Sequence, residues 1–339
     1  MIKETLFPEH ERELRLNKLG DILLRLEKYI DFKLISEAIE AAAPREAKTG
    51  RPPFPTELMT RILVIQQLFN LSDDQMEFQL LDRLSFQRFV GLRRSSQIPD
   101  SKTLWFFRER LIQAGAEAVI FKAVSQQLDA YGFIARNGQM IDATLVEAPR
   151  QKISKEEKKI IDKGEIPANW SAAKRAQKDR DADWTYKQGS YYFGYKISAN
   201  VDNRYRFIRR IRISPASAHD TLFLETVLDD HNTSMAVYAD KGYTDGAREK
   251  ALTEKGYRMN ILRKAKRGKP LSDRQKKRNK RISKVRARVE HPFAALKQMG
   301  GKIVRSIGLV RATFGLYCKV ACYNMKHLCS LKAMNVTPF

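Results

Sequence analysis

The chain has little cysteine, no long apolar run and few acids for its many bases, and each shortage removes a class of protein. Three cysteines in 339 residues, Cys318, Cys322 and Cys329, are too few and too clustered to staple a fold, which fits a reducing compartment. No apolar stretch reaches the roughly 18 residues of a membrane helix. The charged opening from Met1 to Glu13 does not read as a signal peptide. A soluble cytoplasmic protein without a membrane partner is expected. Acids number 39 against 63 Lys and Arg, a net charge of +24. A surplus of that size points to a polyanionic partner, most commonly nucleic acid.

What is present is ample core material, 43% hydrophobic, and a length that suggests two domains. Residues 11 to 43 carry helix-period apolar positions (Leu16, Leu19, Leu23, Leu26, Ile30, Leu34) and read as one helical stretch ending near Pro44. After a stiff basic linker, Thr56 is placed to cap a helix with stripe Leu58, Ile62, Ile65, Phe69. Ser72 and Gln75 form a capping-box pattern for a helix through Leu84. Asp100-Ser101 caps another that carries Leu104, Phe107 and Leu111 through Ala114. These helices resemble a helix-turn-helix arrangement, with a plain packing bundle as the alternative. Arg93, Arg94, Lys102, Arg108 and Arg110 crowd the last of them, which favours DNA contact. Residues 1–115 are thus expected to be an all-α DNA-binding domain.

From residue 116 to about 335 the pattern turns to α/β. A helix from Glu117 to Tyr131 leads into the strand Gln139–Ala148, closed by Pro149, with Asp142 set among Met140, Ile141, Leu145 and Val146. An unpaired carboxylate in a core strand costs several kcal/mol unless it is bonded or binds metal. Residues 150–188 are polar and read as an exposed insertion. Trp184, Tyr186, Tyr191 and Tyr192 at its end suit either stacking on bases or a small satellite core. Runs 192–201 and 207–213 pair as a hairpin across Asp202-Asn203-Arg204, and His219-Asp220 caps a short helix over Thr221–Leu228. A second strand, 235–239, runs directly into Asp240 and Gly242, the strand-end position where open α/β sheets place their chemistry. The segment 263–288 is dense in Lys and Arg with Asp273 its only acid. It leads to a lone Glu290, and the spacing of Arg286, Glu290 and Lys297 predicts one shared helical face. Pro292 either kinks that helix or marks its first turn, with Glu290 just outside. The cysteines lie in an apolar helical pattern, and a zinc site with His327 lacks the paired spacing of structural sites.

Two aspartates and a glutamate are hard oxygen donors suited to Mg²⁺, and two such ions can activate water against a phosphodiester. At these residues the chain resembles a family. Ile141-Asp142-Ala143-Thr144 with Glu147-Ala148-Pro149, Phe193-Gly194-Tyr195-Lys196, Ala218-His219-Asp220, Ala239-Asp240-Lys241-Gly242-Tyr243, and Arg286 through Phe293 with Lys297 look like the DDE transposases of bacterial insertion sequences. The likeness is nearest to the IS-five group and extends to the related IS-four group. It implies an RNase H-like core (a mixed sheet flanked by helices), with Asp142, Asp240 and Glu290 as the catalytic, metal-binding triad for two Mg²⁺ ions, Mn²⁺ substituting. It implies double-stranded DNA as partner, both terminal inverted repeats and target, a homodimer on the DNA, and work at the nucleoid. Arg286, Lys297, Lys241 and Arg288 would contact that DNA beside the triad. Ser283 stands where the related group has tyrosine. A domesticated DNA-binding protein without chemistry and a plain RNase H-like nuclease are the alternatives.

Overall fold

The computed structural model describes residues 8–45, 52–92, 98–265, 268 and 270–338. Asp21 and Asp31 break the first helical stretch. Each takes extended backbone and accepts a bond from a later amide, Leu23 N or Leu34 N, so that each starts a new helix. The predicted single run is therefore α1 (Pro8–Leu19), α2 (Ile22–Tyr29) and α3 (Phe32–Ala42). Separate axes leave Leu16, Leu19 and Leu34 exposed while Leu23, Leu26 and Ile30 are buried. α4 (Thr56–Phe69) begins at Thr56 rather than after it. Pro55 holds the cap position without a side-chain bond, and the Thr56 hydroxyl instead donates to Glu40. Asn70, at φ 55°, ends that helix.

The Ser72–Gln75 capping box forms and starts α5 (Asp73–Asp82), but Arg83 takes extended backbone and α6 (Leu84–Val90) follows as a separate helix. α7 (Ser101–Gln113), capped by Asp100, buries Leu104, Phe107 and Leu111 as its periodicity predicts. α8 is Val119–Ala130. All the described secondary structure in the compact unit Met1–Tyr131 with Ala321–Phe339 is helical.

The second unit, Gly132–Val320, holds a six-stranded mixed sheet. Its elements in chain order are β1 (Gln139–Glu147), α9 (Lys155–Ile161), α10 (Ala172–Gln177), β2 (Asp183–Lys187), β3 (Ser190–Asp202), β4 (Ile208–Pro215), β5 (Ala236–Ala239), α11 (Gly246–Glu254) and β6 (Arg258–Ile261). α12 (Asp273–Arg286) and α13 (Glu290–Gln298) follow, then α14 (Leu309–Ala333), whose residues from Ala321 onward belong to the first unit. The strand path is β2-β3-β1-β5-β6, with β4 also on β3. β1 is antiparallel to β3 and parallel to β5, so the sheet changes sense at the strand that carries Asp142. Gly194 meets a steric demand there. At φ 149° it faces Glu147 of β1, and a Cβ would stand 2.2 Å from the Val146 carbonyl oxygen. The β3–β4 hairpin turns on Asp202, which is fully buried, accepts from Tyr205 N and Phe207 N, and pairs with Arg209 at 3.4 Å.

Where sequence predicts a helix over Thr221–Leu228, the chain makes two 3-10 turns, Asp220–Phe223 and Glu225–Val227. Nor do Arg286, Glu290 and Lys297 share a helix. α12 stops at Arg286, a 3-10 turn spans Ala287–Val289, and α13 restarts with Glu290 as its first residue. Pro292 explains the restart, since it lacks an N–H and is tolerated only in a helix's first turn. Cys318, Cys322 and Cys329 are buried and form no disulfide. Among the described residues no helix is long and apolar enough to cross a membrane.

The 150–188 segment is more ordered than an exposed insertion. Trp170 is buried, and its indole N–H donates to Glu157, which also accepts from Lys174. Trp184, Tyr186 and Tyr191 are exposed on the β2–β3 hairpin. The bonds from Lys174, the Ser154 amide and Trp170 hold the Glu157 carboxyl down to about 2. A depressed carboxyl stabilises the folded form above its ordinary value of 4.5, and that contribution is lost as pH falls from there to about 2. With Trp105→Phe and Trp184→Phe, leaving Trp170 alone, indole fluorescence should hold steady at neutral pH and change within that acid window. A flat signal throughout the window would show that Glu157 does not anchor the segment.

Candidate active site

The parallel ladder between β1 and β5 pairs Gln139 with Val237, Met140 with Tyr238 and Ile141 with Ala239. The ladder's last pair, Ile141 with Ala239, stands one residue before Asp142 and Asp240. In-register positions on neighbouring strands lie about 4.8 Å apart with side chains on the same face. On its other side Asp142 faces Ala199 of β3, a fully buried small residue. β5 ends at Ala239, so Asp240 leaves the sheet at its carboxyl edge and caps the 3-10 turn Lys241–Tyr243, its Oδ1 accepting from Lys241 N at 2.7 Å. Glu290 arrives from the opposite end of the chain. The turn Ala287–Val289 lies against β1 with Val289 fully buried, and Glu290 follows it, exposed.

Asp142 is the most constrained of the three. Its Oδ1 accepts from Ala143 N at 2.9 Å and its Oδ2 from Arg286 Nη2 at 2.6 Å. Burial pushes the Asp142 carboxyl above its ordinary value, Arg286 pulls it back, and the charges of Glu290 and Asp240 push it up further. The three acids therefore share one electrostatic neighbourhood. Tyr243 stands in it as well: its hydroxyl is buried with no hydrogen-bond partner among the described residues. Burial raises its pKa, and Asp220, Asp142 and Asp240 add to the rise. Asp220 in turn pairs with Lys196 at 2.7 Å, so two separate sequence motifs meet beside the triad. Sequence names these residues within its motifs without showing which of them meet.

Among the residues expected to contact DNA, Lys241, Lys297 and Lys102 are exposed. Arg288 is exposed but donates to Asn203. Arg108 is engaged inside its own unit, where it grips both carboxylate oxygens of Asp73. Arg93 and Arg94 lie outside the described residues. Arg286 faces Asp142, not Glu290, because the 3-10 turn rotates the two residues apart.

Three carboxylates suit a hard divalent cation, and their mutual repulsion calls for one. As they stand, no three His, Cys, Asp or Glu side chains among the described residues are gathered closely enough to hold an ion. Arg286 supplies the counter-charge, so Asp142 and Arg286 must part before Asp142 can give both oxygens to a metal. The residues fit the ion in donor type, and holding one requires Asp142 to part from Arg286 and the three carboxylates to close together.

The family described as Transposase DDE domain matches residues 135–325, a span that contains Asp142, Asp240 and Glu290, and a Transposase domain (DUF772) matches residues 10–110. The first covers more than half of the sequence, and the chain belongs to the transposase DDE domain family. Among solved structures it is similar to the piggyBac transposase in a synaptic complex with hairpin DNA, at 14% identity and a TM-score of 0.47, over 93% of this chain and 76% of that one. That likeness is too distant to carry residue roles.

The ion pair yields a stability test. Arg286→Met should leave Asp142 uncompensated and lower unfolding free energy by about 1–3 kcal/mol. Added Mn²⁺ should then stabilise this variant more than it stabilises the wild type. Urea unfolding with and without Mn²⁺ measures both, and equal stability of the two proteins in chelator would contradict the role given to Arg286.

Proposed function

We propose that the chain is the transposase of a bacterial insertion sequence of the IS-five group. It binds the terminal inverted repeats, cleaves the DNA at the element's ends and joins the 3′ ends to target DNA. The observation that supports this reading is the parallel β1–β5 ladder that ends at Ile141 and Ala239, one residue before Asp142 and Asp240, in a chain of this family. The mixed sheet flanked by helices supports an RNase H-like core, and the helical first unit supports a DNA-binding domain of helix-turn-helix type.

Asp142, Asp240 and Glu290 would hold Mg²⁺ or Mn²⁺, which when bound acidifies the attacking water and neutralises the leaving oxygen. Lys297, and Arg286 once parted from Asp142, take phosphate oxygens. The basic segment gains a pattern that its composition hides. α12 places Arg274, Lys277, Lys280, Arg281 and Lys284 along one open cleft, and none of the five has an ion-pair partner among the described residues. A cationic helix face without carboxylates suits a DNA backbone, and phosphate contacts position a protein without reading sequence. A homodimer on two DNA ends, at the nucleoid, completes the reading.

Two outcomes test it. Asp142→Asn, Asp240→Asn and Glu290→Gln should each abolish strand cleavage and leave DNA affinity intact or higher, since each removes negative charge beside phosphates. Cleavage should also stop in chelator. Near wild-type cleavage by any one variant, or by the wild type in chelator, would remove that residue or the metal from the account. Neutralising Lys277, Lys280 and Lys284 should weaken binding to all duplexes alike and flatten its salt dependence by about 0.9 for each phosphate no longer neutralised. A weakening confined to terminal-repeat DNA would mean that α12 reads bases instead.

A further inference from the structure

Thr144 lies two residues beyond Asp142 on β1, and alternation along a strand puts both side chains on one face. The Thr144 hydroxyl accepts a hydrogen bond from Lys302 Nζ, across 158 residues of sequence. The backbone of Lys302 is clamped as firmly. Glu147 N donates to Lys302 O at 2.8 Å, Val304 N donates to Glu147 O at 2.8 Å, and Glu147 bridges Ile303. Gly301 lets the chain pass this close to the end of α13, since a Cβ there would stand 2.9 Å from the Leu296 carbonyl oxygen. The ammonium is thus delivered by a rigid tether at both ends.

Lys302 has no carboxylate partner among the described residues, and Thr144 engages only one of its three donors. Half burial lowers the Lys302 pKa, Lys187 and Lys297 lower it further, and Glu290 and Asp142 counter them. Lys187 at the end of β2 and Lys297 on α13 lie near enough to repel the Lys302 ammonium, and none of the three has an ion-pair partner among the described residues. Cations so placed suit a phosphate oxygen.

We infer that Lys302, backed by Lys187 and Lys297, forms a phosphate subsite beside the triad that takes a non-bridging oxygen of a DNA phosphodiester. The subsite rests on the proposed function for its substrate. Lys302 is distinct from the cations on α12, because its position is fixed by Thr144 and the end of β1 and not by a solvated helix face. A fixed ammonium at a fixed distance along β1 from Asp142 holds the phosphate in place without reorganisation.

The test uses the full chain and a short blunt DNA duplex of arbitrary sequence. Binding in chelator is titrated at several salt concentrations for the wild type, Lys302→Met, Lys302→Gln, Lys302→Arg and, as a charge control, Lys250→Met on α11. Both neutral variants at Lys302 should lose about 0.9 from the slope of log affinity against log salt, while Lys302→Arg and Lys250→Met keep the wild-type slope. With Mn²⁺ and a saturating duplex that carries the element's terminal repeat, cleavage by Lys302→Gln should fall roughly tenfold or more and recover in part with Lys302→Arg. Gln can still donate to the Thr144 hydroxyl, so it preserves the tether while removing the charge. A wild-type slope in Lys302→Gln would show that the ammonium is only a strut between β1 and the turn. If the wild type cleaves no DNA with any divalent ion, the proposed function falls, while the slopes still decide whether Lys302 meets a phosphate.

Discussion

A carboxylate in the middle of a sheet's central strand costs several kcal/mol unless something answers its charge, and here Arg286 answers it for Asp142 at 2.6 Å. That contact depends on where α12 stops. α12 ends at Arg286, Pro292 calls for a fresh helix start, and the Ala287–Val289 turn between them docks on β1 through buried Val289. The same turn then delivers Glu290. The counter-ion and the third acid are therefore placed by one local break in helix geometry.

The other two carboxylates depend on register. A slip of one residue between β1 and β5 would separate Asp142 from Asp240 and send Asp142 to the opposite face. Gly194 and Ala199 allow β3 to lie close along β1, and Tyr243, Leu252 and Ile261 pack with Ile141, Val237 and Ala239 beneath the site. Tyr243 shows the cost of this arrangement. A buried hydroxyl without a partner is worth about 1–3 kcal/mol against folding, and such groups collect where function overrides stability. It belongs to the Asp240 motif, so the chain tolerates that cost next to its acids.

Much of this is legible in the sequence. Asp142 and Asp240 declare themselves as charges at the heart or end of apolar strands, and the caps at Ser72 and Asp100 follow from side chains within three residues of their partners. Other local signals mislead. Asp21 and Asp31 are good caps, yet continuous apolar spacing from Leu16 to Leu34 hides the breaks they make. Lys302 and the Arg286–Asp142 pair are not legible at all. Their partners lie 158 and 144 residues away, and no periodicity spans such a distance. The basic segment stands between these cases: its charge is plain in the sequence, but its pattern emerges only once α12 turns those residues onto one face.

The central claim is that Asp142, Asp240 and Glu290 form one cation site next to DNA. Titration of Mn²⁺ into the full chain with duplex DNA, followed by electron paramagnetic resonance, reads this without requiring turnover. The account predicts that the wild type removes free Mn²⁺ from solution and that Asp142→Asn, Asp240→Asn and Glu290→Gln each weaken that binding. Wild-type Mn²⁺ binding by any one of the three would contradict it.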